Sequence, residues 1–395
     1  MRVLVAAERL GSAGGMERYL DVLLPKLVAR GATVHVLARR IDPSSHGNGD
    51  GAGVVAEQVP WAEEHDAPSL AARAAVRDAI AAFAPDVAVA HNVMDAGVVE
   101  ALRAAKRLVY HVHDHRPFCP NGDRVFPRTG RICIEPLGRA CTIHSLTDGC
   151  AYGPRRRTAR LIRSRERLRD AVGAADAVVV ASRYVAERAR DSGVDERRIV
   201  EITPPLPDDA YAAADVLPGR SRDVVFAGRI VPQKGLDTLV RAVATLPPER
   251  RPRVRAFGDG PVRDDVAAEA ARLGVTLDAP GAVDAAVLRA ALDEAALLAL
   301  PSRWAEPFGY VGIEAFARAR PVVAFDAGGV RTWLQPGHNG VAVAPGDEVA
   351  LGAALGALLD DDARRARLGR NARGDAERYR ASTIVDALAR TYGFG

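Results

Sequence analysis

Short apolar runs without polar alternation, each followed by a longer amphipathic segment, recur along most of this chain. Candidate strands fall at 3–7, 33–37, 86–90, 108–112 and 177–181, with helical patterns near 16–30, 71–82, 98–105 and 158–172. A strand that lacks alternation is buried on both faces, so the pattern reads as βαβ units around a parallel sheet. The rhythm pauses at Pro204-Pro205-Leu206-Pro207, where prolines remove backbone donors and hold the chain extended. It restarts with candidate strands at 224–227, 253–257, 297–300 and 322–325, and with helices opening near Lys234, Asp264 and Gly309. The expected fold class is α/β, with two Rossmann-like domains at 1–207 and 220–379 and a linker between them. A helical tail over 380–395 is expected to pack back on the first domain. In such sheets ligands bind outside the carboxyl ends of the strands, here in the cleft expected between the domains.

Composition narrows the class. A chain of 395 residues with 48% hydrophobic residues has ample apolar surface for two cores. No segment has the apolar length of a membrane span, and the N-terminus reads as a first strand, without the apolar core of a signal peptide. Four cysteines are too few for a secreted disulfide scaffold, so a cytoplasmic enzyme is expected. Acids and bases nearly cancel at a net charge of +4, and most of the basic residues are arginine; lysine occurs only at Lys26, Lys106 and Lys234. The basic pI follows from that arginine bias and says nothing for nucleic acid, for which clustered stacking aromatics are also lacking.

Three segments carry candidate chemistry. Gly11-Ser12-Ala13-Gly14-Gly15-Met16-Glu17 follows the first strand and opens a helix. Glycines there let backbone amides approach an anion at the helix N-terminus. The spacing is not that of the dinucleotide fingerprint, which weighs against an oxidoreductase. In Phe226-Ala227-Gly228-Arg229 through Lys234, a strand end is followed by an arginine fork and a lysine point charge, a pair suited to a diphosphate that gains charge as it leaves. Glu306-Pro307-Phe308-Gly309-Tyr310 through Glu314 sets two carboxylates across a loop-to-helix junction. The amides of Phe308, Gly309 and Tyr310 at that helix start could bind phosphate.

The Glu306-to-Glu314 spacing resembles the E-x7-E signature of retaining glycosyltransferases of family 4, which have the GT-B architecture. Gly14-Gly15-Met16-Glu17 is similar to that family's glycine loop, and Arg229 with Lys234 to its donor-diphosphate pair. Phe257-Gly258-Asp259-Gly260-Pro261 resembles its nucleotide turn, Gly328-Gly329-Val330 its late glycine motif, and His113-Asp114 its strand-end histidine. Pro204-Pro205-Leu206-Pro207 departs from the Asn-Gly-Val-Asp-like turn of many members. The resemblance implies a nucleotide-diphosphate sugar donor and a small-molecule or lipid-linked hydroxyl acceptor. By the same resemblance, Arg229 and Lys234 neutralise the leaving diphosphate, Glu306 holds donor-sugar hydroxyls and Glu314 takes the ribose. Gly14, Gly15 and Gly258 shape the pocket, and His113 sits near sugar and acceptor. Same-face attack then needs no protein nucleophile and no catalytic metal. An epimerase of the same architecture is the nearest rival.

Two features stand apart. Cys119, Cys133, Cys141 and Cys150 all fall in one loop, 114–153, after a strand. They are candidate ligands of a structural zinc ion; two disulfides and independent thiols are the alternatives, and the spacing has no C-x-x-C. Loops of this kind also occur in some members of the family. Eight arginines crowd 155–169, a solvated helix face by default and an acceptor-side or membrane-facing patch otherwise; membrane association is not predicted.

Overall fold

The computed structural model describes residues 1–11, 15–42, 53–61, 69–150, 155–211 and 221–394. The chain forms two compact units, Met1–Pro205 with Ala381–Gly395, and Leu206–Arg380. In the first unit the strands are β1 (Arg2–Leu10), β2 (Thr33–Ile41), β3 (Val54–Gln58), β4 (Val87–His91), β5 (Leu108–Val112), β6 (Ala177–Val180) and β7 (Ile199–Glu201). Its helices are α1 (Gly15–Ala29), α2 (Leu70–Phe83), α3 (Ala96–Leu102), α4 (Arg139–Thr147), α5 (Arg155–Gly173) and α6 (Arg183–Asp191), with α13 (Ala381–Tyr392) returning from the end of the chain. The second unit holds β8 (Val224–Ala227), β9 (Val254–Phe257), β10 (Leu277–Gly281), β11 (Leu297–Leu300), β12 (Val322–Phe325) and β13 (Gly340–Val343). Its helices are α7 (Leu236–Ala244), α8 (Arg263–Leu273), α9 (Ala285–Glu294), α10 (Tyr310–Ala317), α11 (Glu348–Leu359) and α12 (Asp362–Ala376).

The first sheet runs β3-β2-β1-β4-β5-β6-β7 and the second β10-β9-β8-β11-β12-β13, with every pairing parallel. Both orders reverse direction after the first strand of the unit, at β1/β4 and at β8/β11. Loops at such a reversal diverge and leave a crevice at the strand ends.

Side chains alternate across each strand, so one strand feeds two cores. Leu4, Ala88, Tyr110 and Val178 pack with α2, α3 and α5. Val3, Val87, Val109 and Val179 pack on the other face with Leu20, Leu23 and Leu27 of α1 and Val385, Leu388 and Tyr392 of α13. An Arg30–Asp386 ion pair also ties α1 to α13. Helix α5 keeps Arg156, Arg157, Arg160, Arg163 and Arg167 exposed, but Arg165 is fully buried on the face that also carries Ile162 and Leu168. Among the described residues, no helix is long and apolar enough to cross a membrane.

The sequence pattern misses the strands at the sheet margins. β3 and β7 are short and half-exposed, β10 contains Pro280, and β13 opens on Gly340. The helix expected from Lys234 starts instead at Leu236, because Pro232–Lys234 forms a 3-10 turn and Gly235 takes a left-handed conformation with φ 73°.

Candidate active site

At the switch point of the second sheet, β8 ends at Ala227 and the chain turns through Arg229 to Lys234. β11 ends at Leu300 and leads through Ser302 to Glu306. The two loops meet in a buried ion pair. Lys234 Nζ lies 2.7 Å from Glu306 Oε1, with Glu306 only 3% exposed and Lys234 19%. The Ser302 hydroxyl donates to the same carboxylate oxygen, and the Lys234 ammonium sits 4.9 Å from the centroid of the Trp304 ring. Burial opposes ionisation of Glu306, but the Lys234 charge and its hydrogen bond outweigh it and hold the carboxyl below its ordinary range. Arg229 lies exposed on the loop just past β8, with no ion-pair partner among the described residues.

The loop after Glu306 is braced from two sides. The Gly329 amide donates to the Glu306 carbonyl at 2.6 Å. The Trp333 indole donates to the Phe308 carbonyl at 2.5 Å, and its ring packs edge-on against Phe316. Gly309 has φ 84° and caps α10, which starts at Tyr310; Glu314 lies one turn in and is half-buried. Phe308 and Gly309 are themselves buried. Gly258 has a tight packing requirement, since a Cβ there would lie 1.9 Å from the Gly228 carbonyl oxygen. The loops after β8 and β9 are thus in backbone contact, which holds Arg229 in register with the strand ends.

In the first unit, Gly14 lies outside the described residues, and Gly15 is the first residue of α1. Glu17 in the first turn is nearly buried; desolvation raises its carboxyl, opposed by its own backbone amide and by Arg9. The strand ends bring together histidines that lie far apart in the sequence. β4 and β5 pair with His91 opposite His111, and His113 follows one residue beyond β5. The three rings stack, with centroids 4.4 Å apart for His91–His111 and 5.3 Å for His91–His113. His91 Nδ1 is 3.0 Å from His113 Nε2, while His111 contacts the hydroxyls of Tyr392 at 2.9 Å and Tyr19 at 3.4 Å. Burial, reinforced by the neighbouring rings, pushes His91 and His111 well below the usual imidazole range. Burial takes His113 down to about 4, so the ring is neutral near pH 7. Asp114, next in sequence, is partly buried, and Arg116 with the Asn92 amide holds its carboxyl below the ordinary range.

All four cysteines are free thiols, and all four line one small cavity. Burial raises each thiol, and at Cys150 the fields of Cys133, Cys119 and Cys141 add to it, pushing it up to about 12.

The chain matches two adjoining family models, Glycosyltransferase Family 4 over residues 13–209 and Glycosyl transferases group 1 over residues 208–375. It is similar to D-inositol 3-phosphate glycosyltransferase of Xylanimonas cellulosilytica, 38% identical over 56% of this chain and 57% of that protein. The chain therefore spans little more than half the length of that relative. The counterpart from Kineococcus radiotolerans is 29% identical over 97% of this chain and 91% of its own length. Anabaena HepE in complex with UDP has the same fold, with a TM-score of 0.72 at 20% identity over 99% of each chain. Two Rossmann-like units with parallel sheets in this order define the GT-B architecture. With family models covering both units, the chain belongs to the GT-B glycosyltransferases.

Proposed function

We propose that this protein transfers a sugar from a nucleotide-diphosphate donor to a hydroxyl acceptor with retention of the anomeric configuration. The observation that carries the reading is the Lys234–Glu306 pair at the switch point of the second sheet, with exposed Arg229 on the same loop after β8. A diphosphate leaving group gains negative charge as the glycosidic bond breaks. The Lys234 ammonium, held in place by Glu306, and the Arg229 guanidinium favour that state over the ground state. Glu306, kept ionised by Lys234, accepts hydrogen bonds from donor-sugar hydroxyls. Glu314 takes the ribose hydroxyls, and Gly258, Phe308, Gly309 and Tyr310 shape the donor pocket. By the family resemblance Gly14, Gly15 and His113 also serve the reaction, and an unprotonated imidazole at His113 accepts from or donates to a hydroxyl and adds no charge. The acceptor proton passes to the departing phosphate, so positioning and charge stabilisation carry the catalysis.

The relatives named as D-inositol 3-phosphate glycosyltransferases favour a small polyol acceptor, and HepE, of the same fold, was solved with UDP. The test is a panel of UDP-, GDP-, dTDP- and ADP-sugars with polyol acceptors, read by nucleoside diphosphate release and by NMR of the product anomer. Transfer from one donor with its anomeric configuration kept is expected. Stabilisation by NAD with every sugar nucleotide inert, or inversion at the anomeric carbon, would overturn the reading.

A further inference from the structure

The segment from Phe118 to Cys150 has little to hold it in shape by apolar burial. Helix α4 inside it buries no residue, and Ile134, Ile143 and Leu146 are exposed at 62%, 59% and 56%. Its regular backbone pairing outside α4 is one antiparallel bridge, Val125 with Ile132. A loop of this length without a core needs another restraint.

Its cysteines come from four different places in that segment. Cys119 follows a 3-10 turn, Cys133 closes the small hairpin by donating its amide to the Arg124 carbonyl at 2.7 Å, Cys141 sits in the first turn of α4, and Cys150 lies past its end. All four nevertheless line one cavity of about 40 Å³. That volume admits an ion and falls far below the roughly 300 Å³ of even a small organic ligand site.

We propose that Cys119, Cys133, Cys141 and Cys150 bind one Zn²⁺ ion as a structural tetrathiolate that fixes this segment. Binding releases four thiol protons to solvent and leaves a centre of net charge −2, since four thiolates surround one divalent cation. A buried anion needs a nearby cation, and Arg124 supplies one: it also lines the cavity, is 2% exposed, and its guanidinium donates to the carbonyls of Phe118, Cys133 and Glu135. Soft thiolate donors in a closed set of four select zinc over harder cations. Among the described residues, the one group of three ligating side chains within 4.8 Å of one another is His91, His111 and His113, so the sulfurs must draw in on the ion as it binds. His91 Nδ1 faces His113 Nε2, and both nitrogens of His111 are held by Tyr19 and Tyr392, which leaves His91 Nε2 buried without a partner among the described residues; the thiols have weak partners at most.

The site is independent of the donor reading and is tested without measuring activity. Full-length protein purified without chelator is assayed for metal content, for thiols under denaturing conditions, and for the absorption spectrum after cobalt exchange. One zinc per chain, four titratable thiols and intense sulfur-to-cobalt charge transfer with tetrahedral ligand-field bands are expected. Cys133→Ser and Cys150→Ser should each lower zinc retention at least tenfold, with His91→Gln unchanged. Protein without zinc, whether its thiols are free or paired as disulfides, overturns the proposal. So does zinc that survives the cysteine substitutions or gives a cobalt spectrum without sulfur charge transfer. If a cysteine variant fails to fold, the cobalt spectrum of the unsubstituted protein decides.

Discussion

Removing Lys234 should cost stability as well as activity, and the two losses can be separated. Lys234→Met leaves the Glu306 carboxylate 97% removed from solvent in effect, since that side chain is only 3% exposed. Breaking one partner of a buried pair costs about 3–5 kcal/mol. The remaining Ser302 hydrogen bond puts this case near the lower end, at about 3 kcal/mol. The penalty should depend on pH, with a sign that follows from linkage. In the natural protein the folded Glu306 lies below the ordinary carboxyl value of 4.5, so its contribution is present above pH 4.5 and lost as pH falls through the folded value. Without Lys234 burial is opposed only by the Ser302 and Trp304 hydrogen bonds, so the folded value should rise above 4.5 and the variant should lose stability as pH rises past that point. The gap between the two proteins is therefore widest near pH 7 and narrows toward pH 4. Lys234→Met with Glu306→Gln removes both charges, and should recover stability to within about 1 kcal/mol while remaining inactive. Urea unfolding at several pH values measures all of this. A Lys234→Met penalty under about 1 kcal/mol, or one independent of pH, would refute a buried pair that holds the site together.

Other consequences follow from the same geometry. The histidine stack should remain unprotonated in the native protein down to near pH 5, and stability should fall as pH drops from about 6.5 toward 4, because the unfolded chain takes up protons first; ring resonances titrating near pH 6.5 in the folded protein would exclude this. Gly258→Ala brings a Cβ to 1.9 Å from the Gly228 oxygen at φ 138°, and should destabilise the second unit by about 2–4 kcal/mol in thermal unfolding; a neutral result would show that the β8 and β9 loops separate freely. Arg124→Met strands three carbonyls and should speed hydrogen exchange of amides between 118 and 135 at least tenfold, with the β1 and β4 amides unchanged.

The central strands were legible because burial on both faces leaves continuous apolar runs, as in Val87–His91 and Leu297–Leu300. Strands at the margins carry a weaker signature. Val54–Gln58 is half-exposed, and Leu277–Gly281 includes a proline, tolerated where one side of the ladder is unpaired. The candidate site was legible residue by residue but not as pairs. Lys234 and Glu306 are 72 positions apart, and only the β8/β11 adjacency brings them together. His91 and His111 meet because β4 and β5 pair in that register, which neither strand records by itself. The cysteine segment read as irregular because α4 buries nothing and so lacks an apolar stripe.

The central claim is that the second unit grips a nucleoside diphosphate through Arg229 and Lys234 beside Glu306. Calorimetric titration of UDP, GDP, dTDP and ADP into the natural protein and into the stable Lys234→Met/Glu306→Gln double variant tests it most directly. One diphosphate should bind the natural protein and lose at least tenfold in affinity in the double variant, with a further loss in Arg229→Ala. Equal affinity in all three proteins would contradict the claim.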